Sequence, residues 1–288
     1  MLDLSNIPSQ QQTTTIFYAT GNWQTWNKPR NAKFIEIFCL GGGASGGQNV
    51  LSNPTGGGGG GSGGIVRGLI PAFLLPDTLY ILVGKGGAGV TTAASGNVGG
   101  ISYIGLQPST SEQTLICKSS TSPPGGGSQA STAGAGAPIS VVSLSAFGNL
   151  GFFTAIAGVA GGAGGVSGGG GSNVAALASN LLTGGAGAAG RGASVFNTGG
   201  SVTAASSILT TQVNGGQSSG SDGESGYGFL QPFCGTGGGG GASNLSGPGG
   251  RGGNGWYGCG GGGAGGSTNT LSSSGAGGDG LVIITVIC

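Results

Sequence analysis

The chain contains no histidine, and charged residues make up only 5% of its 288 positions. Without histidine, His-dependent catalytic triads, most zinc sites and the commonest general bases are excluded. The 8 basic and 7 acidic residues leave a net charge of +1, so no basic surface for nucleic acid or for an anionic membrane is predicted. We therefore expect a protein that is not an enzyme, holds no metal or cofactor, and does not bind nucleic acid.

The few carboxylates are scattered, and only Asp222 and Glu224 lie close together. A solvated loop or a chance cation site is favoured for this pair over acid–base catalysis. Residues 84–89 ("GKGGAG") fit the GxGxxG pattern of dinucleotide-binding loops. Because 75 residues are glycine, chance matches are expected, and no helix pattern follows to bind a pyrophosphate. The nucleotide-binding interpretation is therefore rejected.

Helical periodicity with capping residues is also missing, whereas short runs of alternating or β-branched apolar residues recur. We predict strands at 15–20, 33–40, 65–70, 78–83, 101–106, 114–118 and 281–287, with a turn-rich link at 21–30. The intervals between strands are too rich in glycine for crossover helices. The predicted fold class is all-β with essentially no α-helix. Strands at both chain ends frame a glycine-rich body, and the last strand pairs near 33–40.

The glycines are concentrated in blocks at 41–64, 158–171, 184–200, 235–241 and 258–266. Ordering each residue costs about 1–2 kcal/mol, which side chains alone cannot offset in such a chain. Segments without Cβ atoms can form extended threefold helices of the polyproline II type, which pack side by side through backbone hydrogen bonds. We predict packed polyglycine helices of this kind, with flexible linkers as the alternative.

Neither a disulfide framework nor a secretion signal is evident in the sequence. The cysteines are widely spaced and odd in number, which favours free, buried thiols. They are Cys39, Cys117, Cys234, Cys259 and Cys288. Near the N-terminus, Asp3 stands where a secretion signal would carry basic residues, and no apolar core follows. We therefore expect synthesis in a cytoplasm.

Large aromatic residues are scarce, so those inside the glycine blocks are conspicuous. Trp256 and Tyr257 lie in "GGNGWYGCGGGGAGG", and Tyr227 and Phe229 lie in "SGYGFL". If exposed, these residues are candidate contacts for a sugar or protein receptor. If buried, Trp256 and Tyr257 fill space in the glycine body. Both alternatives stay open from the sequence.

Arg191 and Arg251 lie in "AGRGAS" and "GGRGGNG", which faintly resemble RNA-binding RGG boxes. Two arginines do not make a basic tract. We predict that they donate hydrogen bonds to backbone carbonyls between packed glycine segments.

Residues 150–166 ("LGFFTAIAGVAGGAGGV") are uncharged and apolar. The segment is just short of a usual membrane span, and its many small residues contribute little transfer free energy. A buried strand that runs into a glycine block is therefore favoured over a membrane-inserting segment.

Four segments follow one another in a recognisable order. An opening aromatic strand with a Trp and Pro turn ("FYATGNWQTWNKPRNAKFIEIFCLGGGASGG") precedes a strand that ends in Val-Gly-x-Gly-Gly ("LPDTLYILVGKGGAG"). "GGISYIGL" and a final "GGDGLVIITV" complete the series. This order resembles the glycine-rich domain found in bacteriophage tail-fibre and other virion proteins, over most of residues 15–288. No catalytic motif and no fixed set of receptor-binding residues come with the resemblance.

The resemblance implies a virion structural protein, a component of a tail fibre, head fibre or spike, that contributes to host-cell attachment. Residues 1–14 are expected to form an arm that docks into other virion proteins, and residues 15–288 one glycine-rich β domain. A host surface glycan or outer-membrane protein is the other expected partner, and a homo-oligomer, guessed to be a trimer, the expected assembly. The expected location is the virion surface, after synthesis in the host cytoplasm.

Two other functions are left open by the sequence. One is an extracellular ice-binding or structural protein built from the same polyglycine helices, which would show a sustained glycine at every third residue. The other is a membrane-penetration protein that inserts residues 150–166 into the host membrane.

Overall fold

The computed structural model describes residues 12–51, 55–119, 152–176, 182–191, 194–204, 212–230 and 234–288. Across these ranges the fold is all-β, as predicted, and the helical turns are the short 3-10 helices Ala72–Leu74 and Glu112–Thr114. The strands are β1 Thr13–Phe17, β2 Gln24–Asn27, β3 Phe34–Leu40, β4 Ile65–Pro71, β5 Thr78–Leu82, β6 Tyr103–Gly105, β7 Leu115–Lys118, β8 Phe152–Ile156, β9 Val174–Ala176, β10 Val202–Ala204, β11 Gly228–Leu230, β12 Cys234–Gly235 and β13 Leu281–Ile287.

The closing strand β13 lies inside a five-stranded antiparallel sheet of order β1-β13-β3-β4-β8. On one side it pairs with β3, from Leu281 opposite Leu40 to Ile287 opposite Phe34. On the other side it pairs with β1, where Ile283 lies opposite Ile16. The prediction that the last strand pairs near 33–40 and joins the two chain ends is confirmed.

A second antiparallel sheet has the order β2-β5-β6-β7. Its first strand, β2, was predicted to be part of a turn-rich link at 21–30, and for residues 24–27 that prediction is wrong. The segment "QTWN" has a single large apolar residue, so it shows no alternation to detect. Pairing with β5 makes it a strand, and this pairing buries Trp26 opposite Leu79.

The two sheets pack face to face around the main hydrophobic core. Alternate residues of β3 and β13, such as Ile35, Ile37 and Ile284, point inward from the first sheet and are fully buried. Leu79 and Ile81 meet them from the second sheet. Leu281 and Ile283 of β13 point to the opposite face of the first sheet and are also buried, so the apolar pattern that predicted this strand does not distinguish the two faces.

Some element boundaries differ from those expected. Strand β1 begins at Thr13, so part of the predicted 1–14 arm belongs to the sheet, and residues 1–11 lie outside the described residues. Strand β8, Phe152–Ile156, runs into an extended glycine segment, as predicted for 150–166. The expected burial of this strand is wrong, because β8 lies at the edge of its sheet and its residues 153–156 are half-buried or exposed. Two small pairs complete the strands, β9 parallel to β10 and β11 antiparallel to β12.

The glycine segments are ordered by backbone hydrogen bonds with a period of three residues. Within 41–48, N–H groups three residues apart donate to carbonyls three residues apart on the same neighbour, at 2.8–3.1 Å. The three neighbours are 58–64, 94–100 and 275–278. A repeat of three residues per turn with no internal hydrogen bonds is the geometry of the polyproline II type of helix. The prediction of packed polyglycine helices agrees with this pattern.

Segment 258–266 lies at the centre of the bundle and has six hydrogen-bonded neighbours. Its N–H groups donate to 183–189, 44–47 and 250–253, and its carbonyls accept from 57–63, 238–244 and 275–278. Each backbone N–H group of 258–266 thus finds a partner although the segment belongs to neither a sheet nor an α-helix. This continuous network rules out flexible linkers for the described glycine blocks.

The packing distance, rather than backbone freedom, explains most of the glycines. Only Gly21, Gly168, Gly220 and Gly258 have a positive φ among the described glycines. At Gly262, which has no such φ, an added Cβ would overlap the carbonyl oxygen of a neighbouring segment. Glycine is therefore required because the helices approach too closely for side chains.

Successive glycine segments run in opposite directions along the bundle. Segment 41–48 leaves the sheets, runs parallel to 258–266 and runs antiparallel to 275–278, which returns to β13. The reversals that follow segments leaving the sheets, such as 41–48, therefore lie at the end opposite the sheets. We call them the distal turns; their described residues are 49–51, 91–93, 166–168, 194–196, 218–221, 245–248 and 267–273. Thr13, the first residue of β1, pairs with Val286 near the end of β13. The start of β1 and the end of β13 therefore lie together at the sheet end.

Candidate functional site

Trp256 and Tyr257, two of the predicted receptor contacts, lie at the sheet end of the glycine bundle. They occupy the reversal between segments 249–255 and 258–266, and their rings meet edge to face with centroids 5.3 Å apart. The ring of Tyr18 follows, 6.2 Å from that of Tyr257. Tyr18 is 52% exposed. It was not among the contacts predicted from the sequence. Its position as an aromatic residue just after strand β1 was the signal that could have indicated it.

Trp256 is half-buried and packs against the hydrophobic cluster on the outer face of the first sheet. Its indole ring occupies the space that Cβ atoms would take at Gly228 and Gly235, so the β11–β12 pair has glycine where the ring lies. The indole Nε1 is buried and finds no hydrogen-bond partner among the described residues. Trp256 thus fills space in the fold, and its role as a receptor contact stays a prediction.

Tyr227, another predicted contact, packs away from Trp256 and Tyr257. Tyr227 is half-buried and packs against a separate cluster that includes Val174, Val202 and Val213. Phe229 lies in β11, and its side chain is outside the described residues. Tyr227 therefore belongs to a different cluster from that of Trp256 and Tyr257.

A small cavity of about 170 Å³ adjoins Trp256 and Tyr257 and is also lined by Asp279. The Asp279 carboxylate already accepts a hydrogen bond of 2.7 Å from the backbone N–H of Gly86. That bond holds a glycine segment in place, so the carboxylate has a structural partner.

A larger groove, of about 450 Å³, lies among the distal turns. Four separate parts of the chain line it: Thr91, the stretch from Gly220 to Asp222, the stretch from Pro248 to Arg251, and residues 270–273. Asp222 and Arg251 are its charged residues, and both are exposed. We call this cavity the distal groove.

The carboxylates singled out in the sequence separate in the structure. Glu224 accepts hydrogen bonds at its Oε2 atom from the backbone and side-chain nitrogens of Asn214, at 2.9 and 3.2 Å. Asp222 faces the distal groove instead, where its Oδ1 accepts the backbone N–H of Arg251 at 2.7 Å. The two residues therefore do not form a paired acid–base site.

The two arginines also differ. Arg191 donates from its Nη2 to the carbonyl of Leu245 at 3.0 Å, and so bridges neighbouring glycine segments as predicted. Arg251 makes no side-chain bond of this kind to the described residues, so that prediction is wrong for its guanidinium. Asp222 accepts the backbone N–H of Arg251, and both residues line the distal groove.

Exposed apolar residues lie on other distal turns. Val50, Val166, Val195 and Phe196 are each exposed, and they belong to three turns. These turns follow neighbouring segments, since Gly56 donates to Gly165 and Gly168 donates to Arg191. The distal end thus combines an apolar area with the polar distal groove.

The buried thiols are poorly placed for chemistry. Cys39, Cys117 and Cys259 are buried, Cys288 is half-buried, and none of the four forms a disulfide with another described residue. Burial raises the pKa of Cys39 well above its ordinary value, and the neighbouring Cys117 thiol raises it further. A neutral thiol is a weak nucleophile and metal ligand. In the described part of the chain, no group of three or more His, Cys, Asp or Glu residues is arranged to bind a metal, and no helix is long and apolar enough to cross a membrane.

Comparison with curated proteins finds no match. The model of one protein family, described as a glycine-rich domain, matches residues 18–286. The match runs from the end of the opening strand through the glycine bundle to the closing strand. The chain therefore belongs to the glycine-rich domain family.

Proposed function

We propose that this protein is a structural component of a virion, a fibre or spike subunit, that stands on the particle by its sheet end and contacts the host cell with its distal turns. The virion assignment draws on the order of framing motifs in the sequence, from "FYATGNWQTWNKPR" to "GGDGLVIITV". The assignment of anchoring to the sheet end and of host contact to the distal turns draws on the direction of the glycine segments.

The observation that carries the proposal is the arrangement around segment 258–266. Six hydrogen-bonded neighbours immobilise its backbone, and the glycines leave little room for side chains inside the bundle. Within the bundle, the larger side chains therefore lie mainly at the reversals. A rigid body that displays several turns at one end is well suited to present a binding surface at a distance from an anchor.

The sheet end has features suited to attachment and assembly. Phe73 is 82% exposed there, next to strand β4, and Phe34 at the start of β3 is also exposed. Strand β1 has an unpaired outer edge among the described strands, and open strand edges readily pair with another chain. We propose that this end contacts other virion proteins and further copies of the chain, in a homo-oligomer.

Binding to whole cells tests the proposal. Fluorescently labelled full-length protein is titrated onto a panel of bacterial strains, with lipopolysaccharide, capsule and outer-membrane extracts as competitors. Saturable, competed binding to at least one strain is expected. A folded oligomer that binds none of the strains would contradict the attachment role and favour a purely structural one.

Matched variants locate the contact. Val195→Ser with Phe196→Ser alters exposed apolar residues of one distal turn, and Phe73→Ser alters an exposed apolar residue at the sheet end. We expect the first variant to weaken cell binding and the second to leave it unchanged. If Tyr18→Ala with Tyr257→Ala abolishes binding while the distal variant does not, the contact lies at the sheet-end aromatic residues instead.

Membrane penetration is the second candidate, because Val50, Val166, Val195 and Phe196 expose apolar surface at the distal end. The segment first considered for insertion is less suited to it. Residues 159–165 carry backbone hydrogen bonds to 56–62 and 185–188, which insertion would break. Leakage of dye from liposomes, lost in the Val195→Ser, Phe196→Ser variant, would favour this function.

Thermal hysteresis of the purified protein would favour the ice-binding alternative.

A further inference from the structure

We infer that the distal groove binds the hydroxyl groups of an uncharged saccharide, through Asp222 and Arg251. The inference rests on the proposed attachment function and names the chemistry of its ligand. It starts from a cavity of about 450 Å³, which is within the size range of small-molecule sites in proteins.

The walls of the distal groove are fixed by backbone hydrogen bonds before any ligand arrives. Gly223 donates to the carbonyl of Arg251 at 2.8 Å, and Gly252 donates to that of Ser273 at 3.0 Å. The Ser272 hydroxyl donates to the carbonyl of Gly250 at 3.1 Å. Binding there would need little ordering of the main chain, which is a principal cost of association.

The two charged side chains share the groove without neutralising each other. Asp222 uses Oδ1 to accept the backbone N–H of Arg251, and the Arg251 guanidinium forms no ion pair with a described carboxylate. The second oxygen of Asp222 can therefore accept hydrogen bonds from a ligand, and the guanidinium can donate them. Neighbouring hydroxyls on one sugar ring can donate to the first group and accept from the second.

Hydroxyl-bearing residues complete the lining. Thr91, Thr270, Ser272 and Ser273 each have a side-chain oxygen that can accept hydrogen bonds. Pro248 and Leu271 contribute the apolar part of the lining. A polyol needs this mixture of donors and acceptors, since every hydroxyl of the ligand both donates and accepts.

Other ligand classes fit the distal groove less well. A phosphate group would meet a single guanidinium with a carboxylate in the same lining, so its charge would be poorly balanced. A divalent cation prefers several carboxylate or carbonyl oxygens, and Arg251 would repel it. The lining has no aromatic residue to anchor an apolar peptide. An uncharged saccharide matches the lining, whose formal charges sum to zero.

Saccharide binding by the full-length protein tests the inference. The probes are neutral oligosaccharides that contain glucose, galactose, mannose or rhamnose, measured by saturation-transfer NMR and titration. Binding of at least one probe is expected, with affinity at least about tenfold lower for Arg251→Ala and clearly lower for Asp222→Asn, because hydrogen bonds to charged groups are the strong ones. Asn retains the Oδ1 atom that accepts the Arg251 N–H, so the fold is kept. The exposed Arg30→Ala serves as the matched control and should bind like the wild type.

Cell binding by the same variants separates this inference from the attachment function. If cells are bound but no neutral saccharide is, or if Arg251→Ala binds saccharide as well as the Arg30→Ala control does, the inference is overturned and attachment stands. If saccharide is bound with the expected variant pattern but no strain is, the groove assignment holds and attachment is overturned.

Discussion

Leu281, the first residue of the closing strand, lies opposite Leu40, the last residue of β3, in an antiparallel ladder. On its other side, the closing strand β13 pairs with β1. The first and last described strands are therefore neighbours in one sheet. The glycine segments leave and return at this level of the molecule, since 41–48 follows β3 directly. The ladder therefore fixes the starting positions of the bundle.

Removal of residues 281–288 should abolish cooperative folding. The deletion exposes the inner edges of β1 and β3 and removes Ile284 and its buried neighbours from the core. Thermal unfolding followed by circular dichroism and light scattering measures the effect. Ile284→Asp, which buries an unpaired charge, should cost several kcal/mol. An unchanged melting profile for the deletion would show that β13 is dispensable.

Substitution of a central glycine should be far more damaging than that of a peripheral one. At Gly262 a methyl group would overlap the carbonyl of Gly239, whereas at the exposed Gly170 the nearest atom is the Thr198 carbonyl oxygen at 3.3 Å. We expect Gly262→Ala to lower the free energy of unfolding by about 3 kcal/mol or more, and Gly170→Ala by less than about 1 kcal/mol. Chemical denaturation of both variants checks this. Equal effects would mean that the glycines do not serve close packing.

Thiol reactivity should follow burial. In a Cys234→Ser background, Ellman's reagent at pH 8 should react quickly with half-buried Cys288 and slowly with the buried thiols. The raised pKa of Cys39 leaves little thiolate at that pH, which slows its reaction further. A further Cys288→Ser change should remove the fast phase. Fast reaction of the folded protein after that change would contradict the burial of the remaining thiols.

Trp256 should tolerate replacement by phenylalanine. Its buried Nε1 has no partner among the described residues, so the loss of that N–H removes an unsatisfied donor while most of the ring packing is kept. We expect Trp256→Phe to change the free energy of unfolding by less than about 1 kcal/mol, and Trp256→Ala to lower it by about 2–3 kcal/mol. If phenylalanine costs as much as alanine, the indole nitrogen has a structural partner.

The sequence allowed most of the sheet to be predicted but little of the candidate site. In 34–40 the polar Glu36 lies between Ile35 and Ile37, so the strand could be predicted locally, whereas residues 37–40 form an unbroken apolar run that is buried throughout and does not mark one face. Strand β2 could not, because its pairing with β5 rather than its own pattern makes it a strand. The distal groove joins four turns that are distant in the sequence. Its assembly depends on the neighbour relations of the glycine helices, which a glycine block does not encode in any visible pattern.

Hydrogen exchange across segment 258–266 gives the sharpest test of the glycine bundle, because backbone hydrogen bonds alone hold its segments rigid. Peptide-level exchange, followed by mass spectrometry, compares this segment with the distal turn 267–273. We predict amide exchange slower by at least about a hundredfold in 258–266 than in the turn, since its N–H groups at 260–266 are all bonded to neighbouring segments. Rapid exchange in both would contradict the bundle and the display of the distal turns that depends on it.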